Sequence, residues 1–449
     1  MKGVFSCLEF GEFPMGETAI NLNQKQKVAA EEFFQFLFSN DKEFIISGSA
    51  GVGKTLLMGY LIDVIMPRYL EMCKILNTKP DYDQVIMTAT TNKAASVLAH
   101  STQRPTQTIH SFLNLTVKED FSNGRTILTK TRSWTVHENL ILFIDEASLI
   151  DSALYKILQE GTANCKIVYV GDHNQLAPVM EKISPIYRQG APFYELTEQM
   201  RNNGQPALMA VCEQLKRTVE TGVFEPIELV PGVIDLLDDD TMLFGIDTVF
   251  KEQTDRSRIL AYTNDRVIQF NNHIRTNVRN LPVEYQQNDK LIMNSPFKPD
   301  PRNRGVAAEE PVVILKYRGR GNINVAPDVD IDVDYLDILD DFGVTLSNVP
   351  YPRDKVHMDQ LKKYYYRIKQ YDKYFWLRNS FPDLRPRDAS TVHKSQGSTY
   401  DFVFIDMDNI STCRQSDQAA RMLYVAFSRA RERVYLHGML AAKYGGYKR

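Results

Sequence analysis

Long apolar runs, paired cysteines and an excess of one charge are all missing from this 449-residue chain. No segment approaches the roughly 18 consecutive apolar residues of a membrane span, so no membrane partner is expected. The first residues, MKGVFSCLEFGEF, hold no apolar core of a signal peptide. Cys7, Cys73, Cys165, Cys212 and Cys413 are scattered and odd in number, without a CxxC pair. That spacing speaks against a disulfide framework or a zinc ribbon and suits a reducing cytoplasm. With 53 Lys and Arg against 56 Asp and Glu, the net charge is −3. A polyanion would have to be met by a local basic groove, because there is no global positive field.

What is present describes a globular protein, 43% hydrophobic and 24% charged, too long for one small core. Two or more closely packed domains are expected. Phe44, Ile45 and Ile46 read as a buried strand that breaks into Gly48-Ser49-Ala50-Gly51-Val52-Gly53-Lys54-Thr55. This fits the phosphate-loop pattern G-x4-G-K-S/T. The glycines let backbone N–H groups turn inward around phosphate oxygens. Lys54 is placed for the β and γ phosphates, Thr55 for Mg²⁺, and the helix that starts there, expected over Leu56–Met66, adds its positive end. A nucleoside triphosphate is the expected ligand.

Ahead of the loop, NLNQKQKVAAEEFFQFLF reads as an amphipathic helix capped by Asn21 or Asn23, with Ala29, Phe33, Phe36 and Leu37 inward. Gln26 on that helix has an amide suited to reading adenine, or is simply solvated. Downstream, QVIMTATTNKAASVLAH is a strand, a polar turn and a helix. Thr91, Asn92 and Lys93 at the turn suit a phosphodiester, or else a helix cap. After Thr108-Ile109-His110-Ser111-Phe112, apolar runs flank Ser122-Asn123-Gly124 as in a β-hairpin, with Phe121 beside the turn. Residues 98–136 are expected to form a small inserted subdomain.

LILFIDEAS delivers Asp145 and Glu146 to the end of a buried strand, where paired carboxylates are costly unless they meet a cation. Asp145 suits Mg²⁺ and Glu146 suits the attacking water, with a helix cap as the plainer alternative. KIVYVGDHNQLAPV brings Gly171-Asp172 and Gln175 to the same edge, where doubly wound sheets bind ligands. Gln175 is a candidate sensor of the γ-phosphate, and ELTEQMR adds Arg201. Past Asn202 the strand–helix alternation restarts without a phosphate loop of its own, ending in RMLYVAFSRARERVYLHG. Arg429 there is a candidate inter-domain arginine finger, or one member of a surface ion pair in a helix rich in Arg421, Arg429, Arg431 and Arg433.

Between about 286 and 386 lies a foreign segment, expected to be a small β-barrel followed by a long helix. DVDIDVDYLDILDD alternates acid and apolar residues, as an edge strand with a solvated acidic face would. It is not an EF-hand, because Val333 and Leu339 stand where Gly and Glu are required. HMDQLKKYYYRIKQYDKYFWLRNSF interleaves aromatics with cations, which suits single-stranded nucleic acid and equally suits a helix packed on its neighbours.

Taken in order, GSAGVGKT, TTNKAA, IDEAS, GDHNQLAPV, TVHKSQGSTYD and YVAFSRAR resemble a superfamily one helicase of the B branch, of the Dda and RecD type. Met200 stands where Rep/UvrD-like enzymes place an adenine-stacking tyrosine. The resemblance implies an α/β fold of two RecA-like P-loop NTPase domains, with a β-hairpin insertion in the first and a β-barrel plus helical insertion in the second. The first domain would span 1–97 and 137–200 around the pin subdomain 98–136. The second would span 201–285 and 387–449 around the insertion 286–386.

It further implies an ATP- and Mg²⁺-dependent 5′–3′ DNA helicase of phage-type replication, recombination or repair, working in the cytoplasm, the host's if the gene is a phage's. The alternative is a DNA-stimulated ATPase translocase that displaces bound proteins without unwinding. Lys54, Asp145, Glu146, Gln175, Arg201 and Arg429 would be catalytic. Gln26 and Gly48 through Thr55 would hold nucleotide, with Thr55 and Asp145 on the metal. Direct DNA contacts would fall on Thr91, Asn92, Lys93, Thr108, His110, His393, Lys394 and Ser395, with Phe121 as a wedge on the pin. Partners would be single-stranded and forked DNA, with a single-strand-binding protein or replisome proteins besides, and the chain would act as a monomer. No nuclease activity is expected.

Overall fold

The computed structural model describes residues 21–178, 181–198, 205–299, 305–327 and 329–448. Its first sheet has six parallel strands in the order Phe193–Leu196, Glu43–Gly48, Lys166–Gly171, Leu140–Asp145, Gln84–Ala89, Thr106–Thr108. Helices cover both faces, which is why the inner strands are continuous apolar runs; Leu140–Ile144 and Ile167–Val170 are all buried. Because the strands are parallel and in register, Ser47 faces Gly171 and Ala89 faces Asp145. The loops that carry chemistry therefore leave from one edge.

Helix Gln24–Phe38 begins at Asn23, which forms a capping box with Gln26, and buries Ala29, Phe33, Phe36 and Leu37 as the spacing requires. The phosphate-loop helix runs well past its expected end. Lys54–Tyr60 passes through a π-helical turn at Leu61–Ile65 into Met66–Ile75. Pro67 accounts for that turn. Its ring would press on the carbonyl one α-turn back, and a wider turn, with the Met66 N–H donating to Leu61 O, relieves the crowding.

The second sheet has five parallel strands in the order Ile234–Leu237, Ala430–His437, Tyr400–Asp406, Ser257–Ala261, Ala389–Thr391. Two RecA-like α/β domains follow from the two sheets. No helix among the described residues is long and apolar enough to cross a membrane.

Four expectations need correction. Residues 98–136 are not one inserted unit. Thr106–Thr108 is the outer strand of the first sheet and Ile109 and Phe112 belong to its core, so only the hairpin Leu115–Asp120/Arg125–Lys130 departs. The expected barrel is a five-stranded antiparallel sheet, Thr345–Pro352, Val329–Asp340, Pro311–Ala326, Lys290–Met293, Leu384–Arg385, whose outer strands are not paired to each other among the described residues. Its acidic strand Val329–Asp340 is not an edge but lies between two others, and its carboxylates have cross-strand partners: Asp337 with Arg318, Asp332 with Asn322, Asp330 with Asn324. Finally, the aromatic segment is two helices, Lys355–Arg367 and Tyr371–Asn379, broken at Lys369, whose φ is +59°.

Candidate functional site

The phosphate loop is built from contacts that leave no room for larger residues. A Cβ on Gly48 would lie 2.7 Å from both Leu196 O and Val52 Cγ2, and Gly51 and Gly53 hold φ of +90° and +79°. Lys54 Nζ donates to the loop carbonyls Gly48 O at 2.7 Å and Ser49 O at 3.0 Å. Gln26 is fully buried. Its Nε2 donates to Val52 O at 3.1 Å and Gly53 O at 3.4 Å, while its Oε1 accepts from Asn23 N at 3.0 Å. The amide therefore fixes the loop to the preceding helix and is not solvated.

Asp145 closes its strand, and Glu146 follows in the left-handed region at φ +51°. Thr90 braces the turn by donating to Glu146 O at 3.1 Å. Burial, and then the neighbouring Glu146 carboxylate, push the Asp145 pKa up to about 7 against the pull of the Lys54 ammonium. A carboxyl pair so crowded, within reach of the Lys54 ammonium, is a donor set suited to a hard divalent cation, and the half-buried Thr55 follows Lys54 in the first helical turn.

The strand Lys166–Gly171 leads directly into Asp172, only 2% exposed. It accepts from Asn174 N at 3.0 Å, from Gln175 Nε2 at 3.2 Å and from the Tyr424 hydroxyl of the second domain at 2.7 Å. Gln175 Oε1 is buried without a hydrogen-bond partner among the described residues. Arg421, one helical turn before Tyr424, donates to His173 O at 2.7 Å and Gln175 O at 2.6 Å. The two domains thus meet over the His173–Gln175 turn.

Arg429 is 3% exposed and sits in the second domain's own framework. It donates to Val425 O at 3.1 Å, Ser398 O at 3.0 Å and Ser428 Oγ at 2.8 Å. Arg431 pairs with Asp401 and Arg433 with Asp235. Arg201 and Met200 lie outside the described residues.

The polar turns of both domains also approach one another. Thr91 caps helix Asn92–Thr102 by accepting from Ala94 N at 3.1 Å, and Lys93 beside it donates to Ser398 Oγ across the interface. Asn92 is exposed. Thr108, in register with Ala89, caps the short helix Ile109–Phe112, and burial holds the His110 pKa below its ordinary value. His393 contacts Gln418 at 3.4 Å and is likewise lowered by burial. Lys394 is taken up by Asn294 O at 2.6 Å and Glu309 at 2.8 Å. Ser395 departs from its expected role: it is fully buried with its hydroxyl on Val392 O at 2.8 Å, so that side chain holds the turn instead of facing a ligand. Phe121 is exposed and packs edge-on to Phe375, with ring centroids 5.3 Å apart.

Comparison with known proteins fits this geometry. Residues 21–226 match the AAA domain family, and residues 388–437 match the UvrD-like helicase C-terminal domain. The chain is 24% identical over 465 residues to the ATP-dependent DNA helicase dda of Enterobacteria phage T4, covering 92% of this chain and 99% of that protein. A shorter stretch of 170 residues, 35% of this chain, is 28% identical to the RecBCD enzyme subunit RecD of Buchnera aphidicola, of which it covers 27%. The chain is a homologue of the Dda and RecD helicases. Its fold is also similar to the Pif1 helicase from Bacteroides in complex with ADP-AlF3 and ssDNA, with a TM-score of 0.51 at 14% identity, covering 95% and 94% of the two chains.

In this Dda and RecD homologue three residues of the domain interface escaped the sequence reading. The sequence places Asp172 by position alone and Arg421 among the cations of a helix, and it singles out no role for Tyr424. A signal was present for each. Asp172 follows a buried apolar run much as Asp145 does, and Arg421 and Tyr424 stand three apart on one helical face.

Proposed function

We propose that this chain is an ATP-dependent 5′–3′ DNA helicase that moves along single-stranded DNA and opens duplex at a fork. The observation carrying this reading is the placement of a complete phosphate loop and the Asp145–Glu146 pair on the sheet edge that the second domain clasps through Arg421 and Tyr424. Bound MgATP supplies the phosphoanhydride whose cleavage is coupled to domain movement.

Lys54 would exchange the carbonyls of Gly48 and Ser49 for phosphate oxygens. Gly48 through Thr55 would cradle the phosphates, Thr55 and Asp145 would hold the metal, and Glu146 would orient the attacking water. The unpaired Oε1 of Gln175 would take a donor that arrives with the nucleotide site, and its backbone would pass the change to Arg421. Arg429 and Arg201 would neutralise γ-phosphate charge. Gln26 would act on adenine through the loop it holds, or directly on releasing it.

Thr91, Asn92, Lys93, Thr108, His110, His393 and Lys394 line the proposed DNA path, and backbone contacts of this kind make binding weakly sequence-dependent and strongly salt-dependent. The hairpin at 115–130 would be the strand-separating pin, with Phe121 as its wedge, and residues 286–386 an insertion of the second domain. We take the protein to act as a monomer in the cytoplasm, in replication, recombination or repair, alongside single-strand-binding or replisome proteins.

The test is ATPase rate on single-stranded oligomers blocked by duplex at the 5′ or the 3′ end, together with fork unwinding. Stimulation by single strands with unwinding only from a 5′ tail supports the proposal. Translocation that never opens a duplex would turn it into a translocase that displaces bound proteins. Turnover equal with and without oligonucleotide would remove nucleic acid from the reading altogether.

A further inference from the structure

The helix pair Lys355–Arg367 and Tyr371–Asn379 has no part in the nucleotide site, yet its composition is one-sided. From Lys355 to Asn379 it carries seven Lys or Arg and two Asp, in a chain whose net charge is −3. Its aromatic residues divide into two sets. Tyr365 and Phe375 are buried, and Tyr365 joins Met358 and Leu377 against Ile331 and Val333 of the antiparallel sheet. Tyr364, Tyr366 and Trp376 are instead 47%, 44% and 41% exposed. Packing covers the first set wholly and the second only in part: Tyr364 meets Tyr365, Tyr366 meets Tyr371 and Tyr374, and Trp376 meets Phe381, each ring pair edge-on.

The cations divide in the same way. Lys362 pairs with Asp359, whereas Lys363, Arg367 and Lys369 make no ion pair among the described residues. Lys363, Tyr366 and Arg367 stand at i, i+3 and i+4, which places them on one face of the helix. That face starts at the hairpin turn: a Cβ on Gly124 would lie 2.4 Å from Tyr371 and 2.8 Å from Tyr366. The exposed Phe121 ring lies at the same junction, against Phe375.

We propose that this exposed face binds the single strand that leaves the hairpin turn, the strand not held between the two α/β domains. The inference rests on the helicase reading above. Rings accessible on one side stack on any base, and unpaired Lys and Arg beside them neutralise successive phosphates, so the contact tolerates any sequence. A strand captured there is kept from re-pairing behind the hairpin. A duplex arm is the weaker fit, since stacked base pairs offer no open ring face to Tyr366.

The experiment compares the full chain and Lys363→Gln/Arg367→Gln on two DNAs that share the same loading tail and duplex. One DNA has a single-stranded second arm and the other ends flush. The wild type should bind the armed DNA more tightly, and that advantage should be lost in the double variant. Its slope of log affinity against log salt on the armed DNA should flatten by about 1.4, two single-strand phosphates' worth. ATPase stimulated by a plain single strand should be equal in both proteins. Equal affinity of the wild type for armed and flush DNA would overturn the proposal while leaving the helicase reading intact, and so would an arm-dependent advantage that survives the double variant. Lack of stimulation by any single strand would instead strike the helicase reading itself.

Discussion

The Tyr424 hydroxyl of the second domain donates a 2.7 Å hydrogen bond to Asp172 Oδ2 of the first, and both side chains are buried. Burial and the adjacent carboxylate hold the Tyr424 pKa well above its ordinary value, so the hydroxyl stays a donor across the working range. Asp172 shares its oxygens with Asn174 and Gln175, which ties the Tyr424 contact to the turn between the domains. Tyr424→Phe removes a bond to a charged group, worth about 1.5–3 kcal/mol. The expected outcome is a lower melting temperature together with a fall of about tenfold in the stimulation of ATPase by oligonucleotide, a loss of ~1.4 kcal/mol of coupling. Lower stability with full stimulation would make the bond structural only.

Much of this arrangement is legible along the chain, because it is local. A glycine-rich turn ending in Lys54-Thr55, apolar runs leading into Asp145 and Asp172, and an Asn123-Gly124 turn each occupy a few consecutive residues. What escaped depends on partners far away in sequence. The alternation of Val329–Asp340 is the same for an edge strand and for an inner strand whose neighbours carry Arg318, Asn322 and Asn324. Lys394 reads as a free cation until Asn294 and Glu309 are brought to it. Arg421 and Tyr424 look like ordinary helix residues until a second domain is set against them. Pro67 was visible, but its effect, a widened turn in place of a helix end, depends on how the helix is held on both sides.

Asp145 makes stability depend on pH. Its pKa is raised to about 7 in the folded chain by burial and by Glu146, so the folded state holds this proton more tightly than the unfolded state does. Its contribution is therefore most favourable at low pH and is lost as pH rises through about 7. In chelator, Asp145→Asn should melt higher than the wild type at pH 8. The difference should open between about pH 4 and pH 7 and stay constant above. Added Mg²⁺ with ATP should close it by stabilising the wild type, while the variant's ATPase is lost. A melting difference that does not change with pH would place the cause elsewhere.

Arg429 separates a finger from a brace. Its three acceptors, Val425 O, Ser398 O and Ser428 Oγ, all belong to the second domain. If the guanidinium also serves γ-phosphate charge, Arg429→Lys should lower kcat by about 10³ or more with nucleotide affinity nearly kept, because the point charge of Lys lacks the planar fork. If Arg429 only braces Ser398, the melting temperature should fall and kcat should follow the folded fraction. Turnover at saturating DNA and ATP, measured below the melting transition, distinguishes the two.

The hairpin turn offers a test by collision. Gly124 has φ +69°, and an added Cβ would meet Tyr371 at 2.4 Å, a distance no relaxed contact allows. Gly124→Ala must therefore either swing the Tyr371 and Tyr366 rings aside or lift the turn off them, and both disturb the seat of the hairpin beside Phe121 and Phe375. Backbone strain contributes too, about 1–2 kcal/mol for a side chain in the left-handed region. Gly190→Ala supplies the control: its φ is +71° and nothing lies within 4 Å, so it carries the strain without the collision. With the hairpin as the strand-separating element, Gly124→Ala should lower fork unwinding about tenfold or more, a barrier change of ~1.4 kcal/mol, while single-strand-stimulated ATPase holds within about twofold. Phe121→Ala should act in the same direction and Gly190→Ala should unwind as the wild type does. If Gly124→Ala also unwinds as the wild type does, the hairpin's docking on the helices has no part in opening the duplex.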